Sequence, residues 1–337
     1  MSEIYLVTGG TGYVGAFTVL ELLEQGHKVK TTIRNLGKES QFRESLYESS
    51  PKLTKAIVDE NLTVLQADLL DDKGWEEAFK DVTYVLHVAS PFPSSKPSDP
   101  QVLIKPAVEG TLRILKFAAK SPLVKHVVIT SSFAAIGFGF PDDRTEPYSE
   151  KDWSIVEKTD FSPYIQSKTL AEKSAWDFVK DPANNVKFGL TTINPALIIG
   201  ASLKGQVTDS TSLLRIKNLV DGTYKDKGIA PSSTHLVNVK DVVKLHLESL
   251  TNPKANGERF LTHSGPNLSF YEAAQILKKS NISEDLKKNL PIKELEGSEP
   301  LKPCDISKAK SVFNWTPIPN EVSLVETIEG LIADGQL

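Results

Sequence analysis

The sequence predicts an α/β fold, a doubly wound parallel sheet with a smaller lobe interleaved toward the C-terminal end. Three observations lead there. Short β-rich runs alternate with helical stretches through the first half, the pattern of a parallel sheet covered on both faces. The first strand runs straight into a glycine-rich turn and a helix. Beyond residue 195 the alternation loosens into stretches rich in glycine, proline and charge.

Residues 4–7 read as a buried strand, and Thr8-Gly9-Gly10-Thr11-Gly12-Tyr13-Val14-Gly15 turns from it into an apolar-periodic helix near 14–25. Gly9 permits a tight turn, Gly12 lets backbone N–H groups approach a pyrophosphate, and Gly15 lets the helix pack closely, so the chain is expected to open with a Rossmann-type dinucleotide site. Further strands are expected at 28–33, 62–65, 84–88 and 126–130, with helices near 38–48, 74–80 and 106–120. Ser162 as N-cap and Pro163 after it start a helix that runs to about Lys180, where Asp181-Pro182 stops it. The next strand covers 188–193 and ends in Asn194-Pro195. Residues 201–206 and 290–303 read as loops. Residues 235–239 read as one more strand, followed by a helix with Asp241 as its N-cap. The expected division is a dinucleotide-binding domain over 1–195, with 234–250 returning to it, and a substrate-binding lobe over 196–233 and 251–337.

The end of the second strand selects the cofactor. A carboxylate there accepts from the adenosine ribose 2′-OH but repels a 2′-phosphate. No acid stands between Lys28 and Gly37, whereas Arg34 and Lys38 offer two cations that pair with a dianionic phosphate, so NADPH/NADP+ is expected. After the third strand, Asp68 is placed either to bond the adenine amino group or to close an Asx-turn, with Leu69 packing on the ring. Val88, Ala89 and Ser90 at the end of the fourth strand suit close passage of the ribose and pyrophosphate.

Catalytic chemistry is suggested by Ser131-Ser132 followed by Tyr164 and Lys168, a phenol and an ammonium four apart on one helix face. A lysine so held favours phenolate, which brings a tyrosine from its ordinary pKa near ~10 toward use as an acid at neutral pH. Ser131 and Ser132 point in different directions at a strand end, so one of them is expected to face the cleft.

These motifs, together with His87-Val88-Ala89-Ser90-Pro91-Phe92, Thr130-Ser131-Ser132-Phe133-Ala134-Ala135 and Thr192-Ile193-Asn194-Pro195, resemble the extended short-chain dehydrogenase/reductases, and specifically their branch of dihydroflavonol reductases, cinnamoyl-CoA reductases and fungal methylglyoxal/isovaleraldehyde reductases. The resemblance spans nearly the whole chain. It implies that Tyr164 is the general acid, that Ser132 is the second hydroxyl on the substrate oxygen, and that Lys168 holds the nicotinamide ribose and lowers the phenol's pKa. It also implies that the Asn194-Pro195 segment, otherwise a plain strand terminus, lies against the nicotinamide ring, and that Pro195 and Ile198 are among the cofactor-binding residues. The chain departs from the plant cinnamoyl-CoA reductases in having Phe161-Ser162-Pro163-Tyr164 where they carry an Asn-Trp-Tyr-containing segment, which points away from a phenylpropanoid thioester. The fungal and bacterial aldehyde and ketone reductases fit better. Phe92 and Phe133, with Phe138, Phe140 and Trp153, stand in segments expected to approach the cleft, either as an aromatic wall for a small-molecule carbonyl or as core.

Composition narrows the alternatives. A net charge of −4, from 43 acidic and 39 basic residues with no basic stripe, argues against nucleic acid. The single cysteine, Cys304, makes an intramolecular disulfide impossible. With no apolar run near the roughly 18 residues of a membrane span, and no basic leader or cleavage site, the expected place is the cytoplasm. The triplets at Asn61, Asn267 and Asn281 are then chance matches to a glycosylation signal. Six histidines are scattered without a two-ligand helical spacing, so no metal is expected, and no Gly-x-Ser-x-Gly elbow suggests a hydrolase. The leading expectation is an NADPH-dependent reductase of an aldehyde, ketone or dicarbonyl. A nucleotide-sugar epimerase or dehydratase that recycles its cofactor, and a non-catalytic NADP(H) sensor, are the alternatives. Monomer and homodimer are equally open, the latter through helices over 101–120 and 164–180.

Overall fold

The computed structural model describes residues 3–90, 99–141, 143–159, 162–206, 210–297 and 303–337. The chain runs β1 (Ile4–Thr8), α1 (Tyr13–Glu24), β2 (Lys28–Ile33), α2 (Glu39–Ser49), α3 (Lys55–Asn61), β3 (Leu62–Gln66), α4 (Trp75–Phe79) and β4 (Tyr84–His87). It continues through α5 (Gln101–Lys120), β5 (His126–Thr130), α6 (Pro163–Lys180), β6 (Gly189–Pro195), β7 (Leu197–Ile199) and α7 (Thr211–Val220). The remainder is β8 (Ser233–Thr234), β9 (Leu236–Asn238), α8 (Val239–Thr251), β10 (Glu258–Thr262), β11 (Leu268–Ser269), α9 (Phe270–Lys279), α10 (Glu284–Lys287), α11 (Ser307–Phe313) and α12 (Asn320–Ala333).

Seven strands pair in parallel in the order β10-β6-β5-β4-β1-β2-β3. The chain walks outward from β1 in one direction and from β4 in the other, so a crevice opens between their carboxyl ends. Both faces of the sheet are buried because alternate residues of each strand meet a helical layer. Tyr5, Val7, Leu86 and Val128 pack with Ala16 and Leu20 of α1 and Val239 and Val243 of α8. Leu6, Val85, Val127 and Ile129 pack on the other side with Ile114 and Leu115 of α5 and Ala175 and Trp176 of α6. A separate apolar cluster, including Ile216, Leu236, Phe270, Leu277 and Ile328, forms the smaller lobe.

Several elements differ from the sequence expectation. The strand at 235–239 does not return to the main sheet, since β9 pairs with β7. The seventh strand is β10, inside the stretch 251–337 assigned to the substrate lobe, and it pairs with β6 through Phe260 opposite Ile193. Helix α8 does return, packing Val239 and Val243 into the cluster that holds α1. Its N-cap is Asn238, whose side chain accepts from Lys240 N, and not Asp241. Asp241 is buried instead, accepting from Trp315 Nε1 at 2.9 Å and Ile318 N at 2.8 Å, so it ties the C-terminal segment to α8. The helix read as 106–120 begins at Gln101 and carries Pro106 inside it. The carbonyl this proline cannot satisfy belongs to Val102, a residue 65% exposed and open to water. Helix α3 was not anticipated; Thr54 caps it by accepting from Ile57 N. Among the described residues, no helix is long and apolar enough to cross a membrane.

Candidate active site

The glycine turn is built by backbone proximity. Gly9 lies at φ 73°, and a Cβ there would stand 3.0 Å from the Cβ of Ala89. A Cβ on Gly15 would stand 2.2 Å from the Gly9 carbonyl oxygen, so the first turn of α1 lies directly on the loop before it. Gly12 is the N-cap of α1 and supplies no side-chain acceptor, which leaves the first N–H groups of the helix available to an anion. Only the backbone of Tyr13 is available to a ligand, because its ring is buried and its hydroxyl donates to the Gly200 carbonyl at 2.9 Å. Val14 packs against the apolar core. From the smaller lobe Gln206 reaches back and donates through Nε2 to the Thr11 carbonyl at 2.9 Å, while its Oε1 is buried with no hydrogen-bond partner among the described residues. Sequence reading missed Gln206. Nothing in its local sequence signals a contact made 195 residues away.

At the end of β2, Arg34 and Lys38 are both exposed, and neither enters an ion pair among the described residues. Asn35 shapes the turn between them by accepting from Gly37 N at 2.9 Å. Two uncommitted cations beside the glycine turn fit a 2′-phosphate. Asp68 closes an Asx-turn, with Oδ1 accepting from Leu70 N at 2.9 Å. Leu69 packs into the cluster beside α5, where a Cβ on Gly110 would stand 2.9 Å from its own.

The candidate Ser-Tyr-Lys trio is set by two elements. Ser162 caps α6 by accepting from Ile165 N, with Pro163 at the first helical position, and this fixes where Tyr164 and Lys168 leave the helix. Ser132 follows β5 in extended conformation and accepts from Ala134 N at 3.1 Å. Tyr164 hydrogen-bonds Ser132; burial holds the phenol above its ordinary pKa, and the Ser132 bond draws it partly back. The ammonium of Lys168 donates to the Thr130 carbonyl at 3.3 Å. Burial lowers Lys168 to about 8, with the charge of Glu172 acting in the opposite direction. His87 is driven down to about 3 by burial and by Lys168, so it is neutral, and its Nδ1 meets Thr8 Oγ1 at 2.9 Å. Thr8 Oγ1 in turn accepts from Ala89 N at 3.0 Å, which ties β4's end to the glycine turn. Ala89 and Ser90 line a small cavity with Thr130 and Lys168.

Ser131 is excluded from the trio, because its hydroxyl donates to Glu172, one turn beyond Lys168 on α6. Glu172 is 2% exposed and also accepts from Asn194 Nδ2 at 2.7 Å, Thr192 Oγ1 at 2.8 Å and Arg259 Nε at 2.6 Å. Burial alone would raise this carboxyl, but Arg259 and the hydroxyl donors outweigh it and hold it below the ordinary value. Asn194 bridges to the reaction side, donating to the Ser132 carbonyl at 3.2 Å. Pro195 is buried beside it at the end of β6, and Ile198 is half-buried on β7. Sequence reading missed Glu172 and Arg259 as the frame behind the site, although Glu172 sits at the next i+4 position after Lys168.

Phe133 is half-buried among aromatic rings, with centroids 5.5 Å from Phe138, 6.2 Å from Tyr148 and 6.3 Å from His235. Phe140 packs on Tyr148 at 5.3 Å beneath the Arg144 guanidinium. Trp153 does not join this wall; the Arg259 guanidinium lies 3.6 Å over its ring, so Trp153 belongs to the buried frame. Phe92 and Phe161 lie outside the described residues. A larger cavity of about 570 Å³, lined by Asn267, Glu272, Lys279 and Pro319 among others, lies in the smaller lobe apart from the trio.

This arrangement of glycine turn, cation pair and Ser-Tyr-Lys trio has counterparts. A model of the NAD dependent epimerase/dehydratase family matches residues 5–261. The chain belongs to that family. Within it, the chain is an oxidoreductase of the extended short-chain dehydrogenase/reductase type, of the dihydroflavonol reductase-like branch. It is 33% identical over 343 residues to cinnamoyl-CoA reductase CAD2 of Medicago truncatula, with 98% of this chain and 96% of that protein covered. The crystal structure of yeast methylglyoxal/isovaleraldehyde reductase Gre2 complexed with NADPH superposes with a TM-score of 0.84 at 25% identity, covering 100% of both chains. The Candida albicans Gre2–NADPH complex does so with a TM-score of 0.84 at 27% identity, covering 98% of this chain and 99% of that one.

Proposed function

We propose that this chain is an NADPH-dependent carbonyl reductase that converts an aldehyde, ketone or dicarbonyl to an alcohol, with Tyr164 as the proton donor. The observation that carries the reading is the pairing of Tyr164 with Ser132 one helical turn from Lys168, at the carboxyl edge of the sheet where the glycine turn lies. NADPH, when bound, supplies the hydride. The N–H groups at the start of α1 would hold its pyrophosphate, Arg34 and Lys38 its 2′-phosphate, and Lys168 its nicotinamide ribose. The close backbone approach that Gly9 and Gly15 permit at the turn, and the Oε1 of Gln206, buried without a partner among the described residues, are consistent with such an occupant.

The chain's own residues then handle charge and proton. As negative charge develops on the carbonyl oxygen, Ser132 donates a hydrogen bond to it and the Tyr164 O–H transfers its proton to it. Burial keeps Tyr164 protonated until that moment. The phenolate left behind is stabilised by the nearby ammonium of Lys168 and is reprotonated from solvent. The aromatic cluster around Phe133 supports a carbonyl with apolar substituents, and the segments 200–232 and 264–303 would cover it.

The test is NADPH and NADH oxidation with methylglyoxal, isovaleraldehyde, aromatic aldehydes and cinnamoyl-CoA. Aldehydes or ketones should be reduced with NADPH preferred, and the thioester should be poor. Tyr164→Phe should lower kcat by about 10²–10⁴-fold with NADPH binding intact. Arg34→Ala should cost about 1.5–3 kcal/mol in kcat/KM with NADPH and little with NADH, the worth of a hydrogen bond to a charged group. An inactive panel, or purified protein retaining tightly bound NAD, would overturn the reading.

A further inference from the structure

We propose that His235, His263 and Cys304 form a transition-metal site, suited to zinc, against the Phe133 ring of the aromatic wall. The three residues come from the segment before β9, the end of β10 and the approach to α11, so no sequence spacing announces them. Their donor atoms nevertheless all lie within 4.8 Å of one another. The two imidazoles have centroids 4.1 Å apart, and each residue is 5% exposed. Tetrahedral zinc, with bonds of about 2.0–2.3 Å, holds its donors roughly 3.3–3.8 Å apart, so binding would draw the three side chains closer together.

The tautomer of His263 favours the same reading. Its Nδ1 lies 2.9 Å from the Gly265 carbonyl, and a carbonyl only accepts, so Nδ1 carries the proton and Nε2 the lone pair. The ring is 5% exposed, and the backbone of Cys304 also hydrogen-bonds it, so His263 is already oriented against the cysteine of the site. A backbone carbonyl on the other ring nitrogen is how metal-bound histidines are oriented. Cys304 is held in place by the backbone on both sides, since Tyr148 N donates to the Pro303 carbonyl at 2.8 Å and Asp305 N to the Tyr148 carbonyl at 2.9 Å. Two imidazoles and a thiolate select a borderline-soft ion over calcium or magnesium, which take oxygen donors. Three protein ligands leave a fourth position open. A bound ion would staple three segments of the chain together and hold His235 edge-on to Phe133, 6.3 Å away, so its presence should alter substrate KM more than NADPH binding.

The full-length protein, freed of metal by chelation, is titrated with Co²⁺ and then Zn²⁺. One equivalent of Co²⁺ should produce a near-ultraviolet thiolate-to-cobalt band and the visible bands of tetrahedral cobalt, both abolished by Zn²⁺. Cys304→Ser should lose the near-ultraviolet band and weaken binding by more than roughly tenfold. Because Cys304 is the only cysteine, alkylation by iodoacetamide reports this one site in the wild-type chain, and Zn²⁺ should slow it. This second measurement decides the matter if Cys304→Ser does not fold. A cobalt spectrum without a thiolate band, or an alkylation rate unchanged by Zn²⁺, overturns the proposal.

Discussion

Lys168 shows how one buried side chain sets a pH range. Burial brings its ammonium to about 8, against an ordinary value near ~10.4. Below about 8 the free protein therefore holds the charge that the proposed ribose and phenolate contacts would use, and above it the charge is lost. The profile of kcat/KM, which reports the free enzyme, should fall as pH rises through about 8. Lys168→Arg keeps its charge at every working pH, so its residual activity should lack that alkaline limb. A limb that survives the substitution would assign it to another group. At the same scale, the adjacent hydroxyls of Ser131 and Ser132 divide their work through partners: Glu172 takes the first, Tyr164 the second. The presence of two serines and their alternation were readable in the sequence, but the carboxylate that claims one of them was not.

At the scale of elements, the turn between β1 and α1 carries the site. Gly15 packs the helix on the Gly9 carbonyl, and a methyl group there would overlap that oxygen at 2.2 Å. Gly15→Ala should displace the N-terminus of α1, destabilise the fold by about 1–3 kcal/mol and weaken NADPH binding, as read by urea unfolding and fluorescence titration. Helix α6 was legible because its start signals, Ser162 then Pro163, are local. Helix α5 was read too short because a proline inside a helix looks locally like its beginning, and only its packing against α6 and the sheet pays for the lost hydrogen bond.

On the scale of the whole molecule, Arg259 of β10 and Glu172 of α6 join the last strand of the sheet to the helix that carries Tyr164 and Lys168 at 2.6 Å, both nearly excluded from solvent. Removing one partner of such a pair leaves a buried charge, so Arg259→Met should cost about 3–5 kcal/mol in chemical unfolding. The pH dependence should change sign with it. In the wild-type chain Glu172 lies below its ordinary value, so its contribution is full above about 4.3 and is lost as pH falls through the lower folded value. In the variant, burial dominates, the folded value rises above the unfolded one, and acidification should stabilise rather than weaken the fold near pH 5 to 4 relative to neutral. Unfolding curves at several pH values distinguish the two slopes.

The α/β class, the glycine turn, the cation pair at the end of β2 and the Tyr-Lys spacing were determined by the sequence alone, because each rests on local pattern: alternating strand and helix signals for the class, and residues within a turn or two of one another for the rest. Tertiary structure alone decided which strand closes the sheet, that Gln206 clamps the Thr11 carbonyl, that Glu172 and Arg259 brace α6, and that two histidines and the only cysteine meet beside Phe133. Those contacts join residues far apart along the chain, as the 87-residue separation of Arg259 from Glu172 shows, and are made only when packing of apolar faces brings the segments together.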